Sequence, residues 1–98
     1  HRRGVAEVLV TLGGAGAVLV TNEGAWYAEA PRIQVRSTVG AGDAAVAGYL
    51  LAARRGLGAA ERVAYAVAHG SAAAATPGSG LGQPSSDDLR GVRARRLG

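Results

Sequence analysis

Three small residues, Gly40, Ala41 and Gly42, stand directly before a carboxylate, Asp43, and an apolar segment of helical character follows at once. A turn of this kind leaves backbone N–H groups unpaired at a helix N-terminus. The helix dipole adds positive potential there, so the position suits an anion. A carboxylate beside a bound phosphate would repel it, unless it accepts the proton of a hydroxyl that attacks the phosphate. Amides for the charge developing on a phosphoryl group, plus a base for the nucleophile, are the minimum apparatus of phosphoryl transfer. The same residues also allow a plainer reading. Asp43 then serves as a cap or dipole partner, and the glycines satisfy the geometry of a tight strand-to-helix turn.

In its wider context, Ser37-Thr38-Val39-Gly40-Ala41-Gly42-Asp43 with Val46-Ala47-Gly48 resembles the signature of the ribokinase-like carbohydrate kinases, the phosphofructokinase-B family. The form resembles most closely the sugar-phosphate branch, of 1-phosphofructokinase and tagatose-6-phosphate kinase type. The resemblance runs from about Val8 to Val92, which is most of this chain and only the C-terminal part of a family member. It implies ATP-dependent transfer of a phosphoryl group to a hydroxyl of a sugar phosphate, with ATP and Mg²⁺ as cofactors. Asp43 would be the base, and Gly40, Ala41 and Gly42 the anion hole. The nucleotide site would comprise Thr11, Leu12, Gly13, Gly14, Ala15 and Gly16 near the phosphates and ribose, Val39 and Gly42 beside them, and His69, Gly70 and Ser71 near the adenine. A loop at residues 76–82 would close over the nucleotide. Family members often carry Asp or Asn where this chain has Ser37, to organise the magnesium shell, and no metal ligand is assigned here. The sugar-binding residues and the lid belong to earlier parts of the family fold. This chain is therefore expected to be a C-terminal portion of a single kinase domain, inactive by itself.

Read without the resemblance, several of these residues are ordinary. Residues 10–17, VTLGGAGA, form a glycine hairpin. A lone His69 on a helix suits surface or core, and Trp26-Tyr27 suits packing within a strand. The run TPGSGLG at 76–82 lacks the Gly-Lys-Ser/Thr ending of a P-loop.

The 98 residues are 48% hydrophobic and 18% charged, which indicates a globular chain. With no Phe, no Met, one Trp and 16 Gly, the apolar area available to the core is small. The net charge is +4, and Arg2, Arg3, Arg90, Arg93, Arg95 and Arg96 place much of the basic charge at the two ends. A solvated tail is the expected reading of that charge. The absence of Cys excludes disulfides and thiolate metal sites, and His1 and His69 do not make a zinc site. No apolar run reaches the length of a membrane span.

The pattern predicts a buried strand over 5–12, a turn at 13–16, a strand over 17–21, a turn at 22–24 and a strand over 25–30 that Pro31 ends. An extended piece over 33–36 would lead into the glycine turn. A helix follows over 43–55, with Val46, Tyr49, Leu50 and Ala53 on one side and burial on most of its surface. A second helix over 59–75 carries Val63, Val67 and Ala74 on one stripe. Residues 76–84 read as a loop, Ser85 to Asp88 as a capping box, and a third helix as running to about Arg96. The fold class is α/β, the C-terminal part of a three-layer α/β/α ribokinase-like domain, strands first and then three helices.

The expected partners are ATP and a small sugar phosphate, with no nucleic acid and no membrane, in the cytoplasm. Self-association through an exposed sheet edge, or a homo-oligomer, is also expected. Two rival functions remain at this stage, a nucleotide-binding remnant without catalysis and a small basic nucleic-acid-binding module. The second would need arginines interleaved with the aromatics, and none is evident along the chain.

Overall fold

The computed structural model describes residues 7–31, 40–75, Pro84, Leu89 and 91–97. Strand β1 spans Val8–Thr11, β2 Ala17–Thr21 and β3 Gly24–Ala28; helix α1 spans Ala41–Arg54, α2 Ala59–Ala74, and β4 Ala94–Leu97. The strands form one antiparallel sheet in the order β1-β2-β3-β4. The α/β class expected from the pattern is the one observed. The extended piece over 33–36 and the capping box at Ser85 to Asp88 lie outside the described residues, as does the loop except for Pro84.

Register follows side-chain alternation. Leu9 pairs with Leu19, and Leu19 with Trp26, so these three share one sheet face with Ala17 and Ala28. That face lies on α2, where Val63, Ala64, Val67 and Ala68 complete a core centred on the fully buried Leu19 and Val63. On the other side α2 packs against α1. The helix ends have local causes. Gly56, at φ 74°, lets α1 close with Gly56 N–H on the Ala53 carbonyl (3.0 Å) and Leu57 N–H on the Ala52 carbonyl (3.1 Å). Gly58 N–H at the start of α2 donates to Glu61 Oε1 at 3.4 Å.

Three expectations need correction. First, residues 8–11 are not a buried strand: Val8 is 53% exposed and Val10 43%, because β1 is an edge strand with one face uncovered by the described residues. Second, α1 is not buried on most of its surface. Its buried residues are Ala45, Gly48 and Ala52, while Val46, Leu50 and Leu51 are exposed. Small residues at helical spacing let α1 approach α2 so closely that a Cβ on Gly48 would lie 2.6 Å from the Tyr65 carbonyl oxygen. Third, the last helix does not reach Arg96, since Ala94–Leu97 is a strand paired with β3. The arginines there are exposed, as expected, but they belong to a paired strand and not to a tail. Arg95 sits 5.5 Å over the Tyr27 ring and Arg96 5.4 Å over the Trp26 ring. Arginine and aromatics therefore do meet, across the β3–β4 pair at exposed positions, through an attraction between cation and ring face that sequence order conceals.

A polar knot ties the start of the sheet to both helices. Arg62 of α2 pairs with Glu7 at 2.8 Å and donates to the Leu57 carbonyl at 2.9 Å; the Tyr49 hydroxyl of α1 donates to the other oxygen of Glu7. Burial, and secondarily the Glu7 carboxylate, raise the Tyr49 pKa above its usual range, an effect that Arg62 partly opposes. The folded state thus holds the phenol proton more tightly than the unfolded chain does. The resulting stability is complete below the ordinary phenol pKa of about 10 and is lost as pH rises through the folded value. Denaturation series between pH 8 and 11 should show a fall in stability above about pH 10 that is shallower in Tyr49→Phe. Identical slopes in the two proteins would remove Tyr49 as its source.

Candidate functional site

Gly40 opens α1 with φ 79° and ψ −2°, a left-handed conformation that glycine adopts without the clash a Cβ brings. The first helical bond runs from Ala44 N–H to the Gly40 carbonyl, at 2.9 Å. The N–H groups of Ala41, Gly42 and Asp43 precede it and have no acceptor within the helix. Among the described residues, no side chain caps this end. The fourteen-residue helix therefore presents its first amides and the positive end of its dipole, with the Asp43 carboxylate in its first turn.

This helix end faces a cleft of about 170 Å³ built from three elements. The β1–β2 connection supplies Thr11, Gly13, Gly14 and Gly16; α1 supplies Ala41, Gly42 and Ala45; α2 supplies Ala66, Val67, Gly70, Ser71 and Ala74. Ala17, and Ala30 and Pro31 just beyond β3, complete the wall. Ligand pockets usually hold about 300–1,000 Å³, so this cleft encloses a part of a ligand rather than a whole drug-sized molecule.

Eight of the residues singled out in the sequence line this one cleft: Thr11, Gly13, Gly14, Gly16, Ala41, Gly42, Gly70 and Ser71. Leu12, Ala15, Gly40, Asp43 and His69 are not among its lining, and Val39 lies outside the described residues. Asp43 is exposed one residue beyond Gly42, with no hydrogen bond or ion pair found for it among the described residues. His69 is turned elsewhere. Its Nδ1 stands 2.8 Å from the Tyr65 carbonyl and so carries the proton it donates, while the ring stacks on Tyr65 at 6.0 Å and closes against Gly48. On α2, residues 66, 67, 70, 71 and 74 share the cleft face, whereas 65 and 69 share the face against Gly48.

The sequence reading missed Ala17, Ala30, Pro31, Ala45, Ala66, Val67 and Ala74. The recoverable signal was Ala66, Gly70 and Ala74 at four-residue spacing, a small-residue face on which a flat group can lie.

The glycines of the cleft divide by physical role. Gly16, at φ 108°, passes against the Ala28 carbonyl with no room for a Cβ. Gly70 admits the first turn of α1, since a Cβ there would lie 3.3 Å from the Ala41 carbonyl oxygen. Gly14 and Gly42 are different. A Cβ on either would meet nothing within 4 Å, and neither has a positive φ. Nothing among the described residues requires glycine at Gly42, and in a helix it costs about 0.5–1 kcal/mol relative to Ala. Such a position leaves space and bare amides for a ligand to approach, which fits phosphate groups of a nucleotide. No group of three or more His, Asp or Glu side chains able to hold a metal occurs among the described residues. Mg²⁺ bound mainly through phosphate oxygens and water requires no such cage.

Known proteins resemble this chain in sequence and in fold. The family described as pfkB family carbohydrate kinase matches residues 1–86. The chain is 35% identical over 95 residues to the 1-phosphofructokinase of Bacillus subtilis (strain 168), covering 97% of this chain and 31% of that protein. Among solved structures it resembles phosphofructokinase-2 from Escherichia coli in complex with substrates and products, with TM-score 0.75, 36% identity, and coverage of 87% of this chain and 27% of that one. It also resembles aminoimidazole riboside kinase from Salmonella enterica complexed with aminoimidazole riboside and an ATP analog, with TM-score 0.72, 36% identity, and coverage of 87% and 30%. The chain thus spans about a third of the length of the relatives it matches.

Proposed function

Because the chain belongs to the pfkB family of carbohydrate kinases, we propose that it supplies the nucleotide and phosphoryl-transfer part of an ATP-dependent kinase. The acceptor is a hydroxyl of a sugar phosphate, of 1-phosphofructokinase or tagatose-6-phosphate kinase type. The observation that carries this reading is the meeting of the α1 N-terminus and the glycine turn of β1–β2 in one cleft.

In this reading Thr11, Gly13, Gly14 and Gly16 border the phosphates and ribose, and the apolar wall of Ala66, Val67, Gly70 and Ala74 takes the flat base, with Ser71 at its edge. The amides of Ala41, Gly42 and Asp43 stabilise negative charge on the transferred group, and they need no reorganisation to do so. Asp43, adjacent but outside the cleft, accepts the proton of the incoming hydroxyl. Mg²⁺ bound with ATP neutralises phosphate charge. The residues that read the sugar lie beyond this stretch of the family fold, so the 98-residue chain alone is proposed to be inactive. Turnover of fructose 1-phosphate by the purified chain, in a coupled ADP-release assay, would overturn that part.

Gly42→Ala tests the central assignment with effects of opposite sign. Removing a helical glycine should stabilise the fold, by up to about 0.5–1 kcal/mol, because the new methyl meets open space. The same methyl should weaken nucleotide binding, since it stands where phosphates approach. Thermal melts and calorimetric titration with ADP–Mg²⁺ on one variant measure both. Higher stability with unchanged affinity would place the phosphates elsewhere.

No helix among the described residues is long and apolar enough to cross a membrane, and a cytoplasmic setting is part of the proposal. So is self-association, for which exposed Val8, Val10 and Val20 and the open edge of β1 give support. A single monomeric species of the 98-residue chain in light scattering at high concentration would count against it.

A further inference from the structure

The glycine turn of the cleft is held partly from outside its own segment. Within the turn, Leu12 N–H donates to the Gly16 carbonyl at 2.8 Å, Ala15 N–H to the Leu12 carbonyl at 3.1 Å, and Gly16 N–H to the Gly13 carbonyl at 3.2 Å. The carbonyl of Ala15 accepts from another element: the Tyr27 hydroxyl of β3 donates to it at 2.5 Å. Tyr27 is itself fixed, opposite Val18 of β2 and Arg95 of β4, with the Arg95 guanidinium over its ring.

We propose that Tyr27 is a positioning residue for nucleotide binding, a role that rests on assigning the Gly13–Gly16 turn to the nucleotide. Gly13 and Gly14 carry no side chain, and a Cβ on either would meet nothing within 4 Å, so neighbouring atoms hold them only weakly. Glycine loses more conformational freedom on ordering than any other residue. A turn left loose would charge that entropy to ligand binding, and an anchor on the adjacent Ala15 removes the cost beforehand. Tyr27 is not in the cleft lining, so it acts on affinity through the turn and leaves the chemical step alone.

The test is Tyr27→Phe in the full-length protein that contains these residues, which deletes one hydroxyl and keeps the ring under Arg95. The dissociation constant for ADP–Mg²⁺ and the KM for ATP should both rise about three- to tenfold, the range one net hydrogen bond supplies. Both kcat and the KM for the sugar phosphate should stay within twofold. Amide hydrogen exchange should quicken at residues 12–16 and stay unchanged in α1. Arg95→Leu, which removes the cation and spares the hydroxyl, should keep nucleotide affinity within twofold. Wild-type protein that binds no nucleotide would overturn the nucleotide assignment and this role with it. Wild-type binding matched within twofold by Tyr27→Phe would overturn the role alone. An equal loss in Arg95→Leu would also overturn it, because packing of the sheet and not the hydroxyl would then set the affinity.

Discussion

Asp43→Asn should lower kcat of the full-length protein by about 10²–10⁴-fold, the usual contribution of a positioned general base. The substitution keeps size and hydrogen-bonding shape and removes the proton acceptor. Nucleotide affinity should survive or rise, because the amides of Ala41 and Gly42 remain and a negative charge beside the phosphates is lost. A dipole or capping role predicts the reverse: a stability loss of about 0.3–1 kcal/mol with kcat nearly intact. The dipole role has its own footing, since Asp43 lies in the first turn of α1. Steady-state kinetics, with nucleotide titration of the same variant, separate the two. If kcat stays within threefold of wild type while chemistry limits turnover, Asp43 is not the base. Unimpaired nucleotide binding in a wild-type protein that itself turns over no sugar phosphate would favour the remnant reading.

Gly16→Ala should be the most destabilising single methyl in this part of the fold. Gly16 sits at φ 108° and ψ −145°, a conformation essentially reserved to glycine, and forcing another residue there costs about 1–3 kcal/mol. The new Cβ would also be driven into the Ala28 carbonyl oxygen and stand 3.0 Å from Ala30 N and Glu29 Cα. Those are backbone atoms, so no side-chain rotation relieves the clash, and overpacking of this kind costs about 1–3 kcal/mol more. A combined loss of about 3 kcal/mol corresponds to a fall in Tm of more than about 10 °C in a domain of this length. Gly13→Ala is the internal control: its φ is 59° but a Cβ there meets nothing within 4 Å, so only the strain of the left-handed conformation remains, about 1–2 kcal/mol. Circular dichroism melts of the two variants give the comparison. Equal shifts would mean that the approach of the turn to β3 is not tight in solution.

The proposed site is legible along the chain where it is contiguous. Gly40, Ala41, Gly42 and Asp43 are neighbours in sequence, and so are Thr11 to Gly16. A helix start and a hairpin turn each depend mainly on their own few residues, so both could be read before any packing was known. Gly70 and Ser71 were reached only through family resemblance. Their place in the cleft depends on which face of α2 meets which neighbour, and helical spacing fixes the angles between residues without choosing that neighbour. The same gap explains His69, whose face of the helix closes on Gly48. It explains Val46 and Leu50 as well: they look like core on a helical wheel, yet the close approach of α1 to α2 runs through Ala45, Gly48 and Ala52. Ala94 to Leu97 is the strongest case. Its sequence, ARRL, has little of a strand about it, and it becomes one because Trp26 and Tyr27 stand opposite to receive the two arginines. The sequence by itself determined that a glycine-bearing helix start and a carboxylate adjoin. Only the tertiary structure decided which glycines are there for the fold and which leave room for a ligand, because that distinction is set by the atoms a missing Cβ would meet.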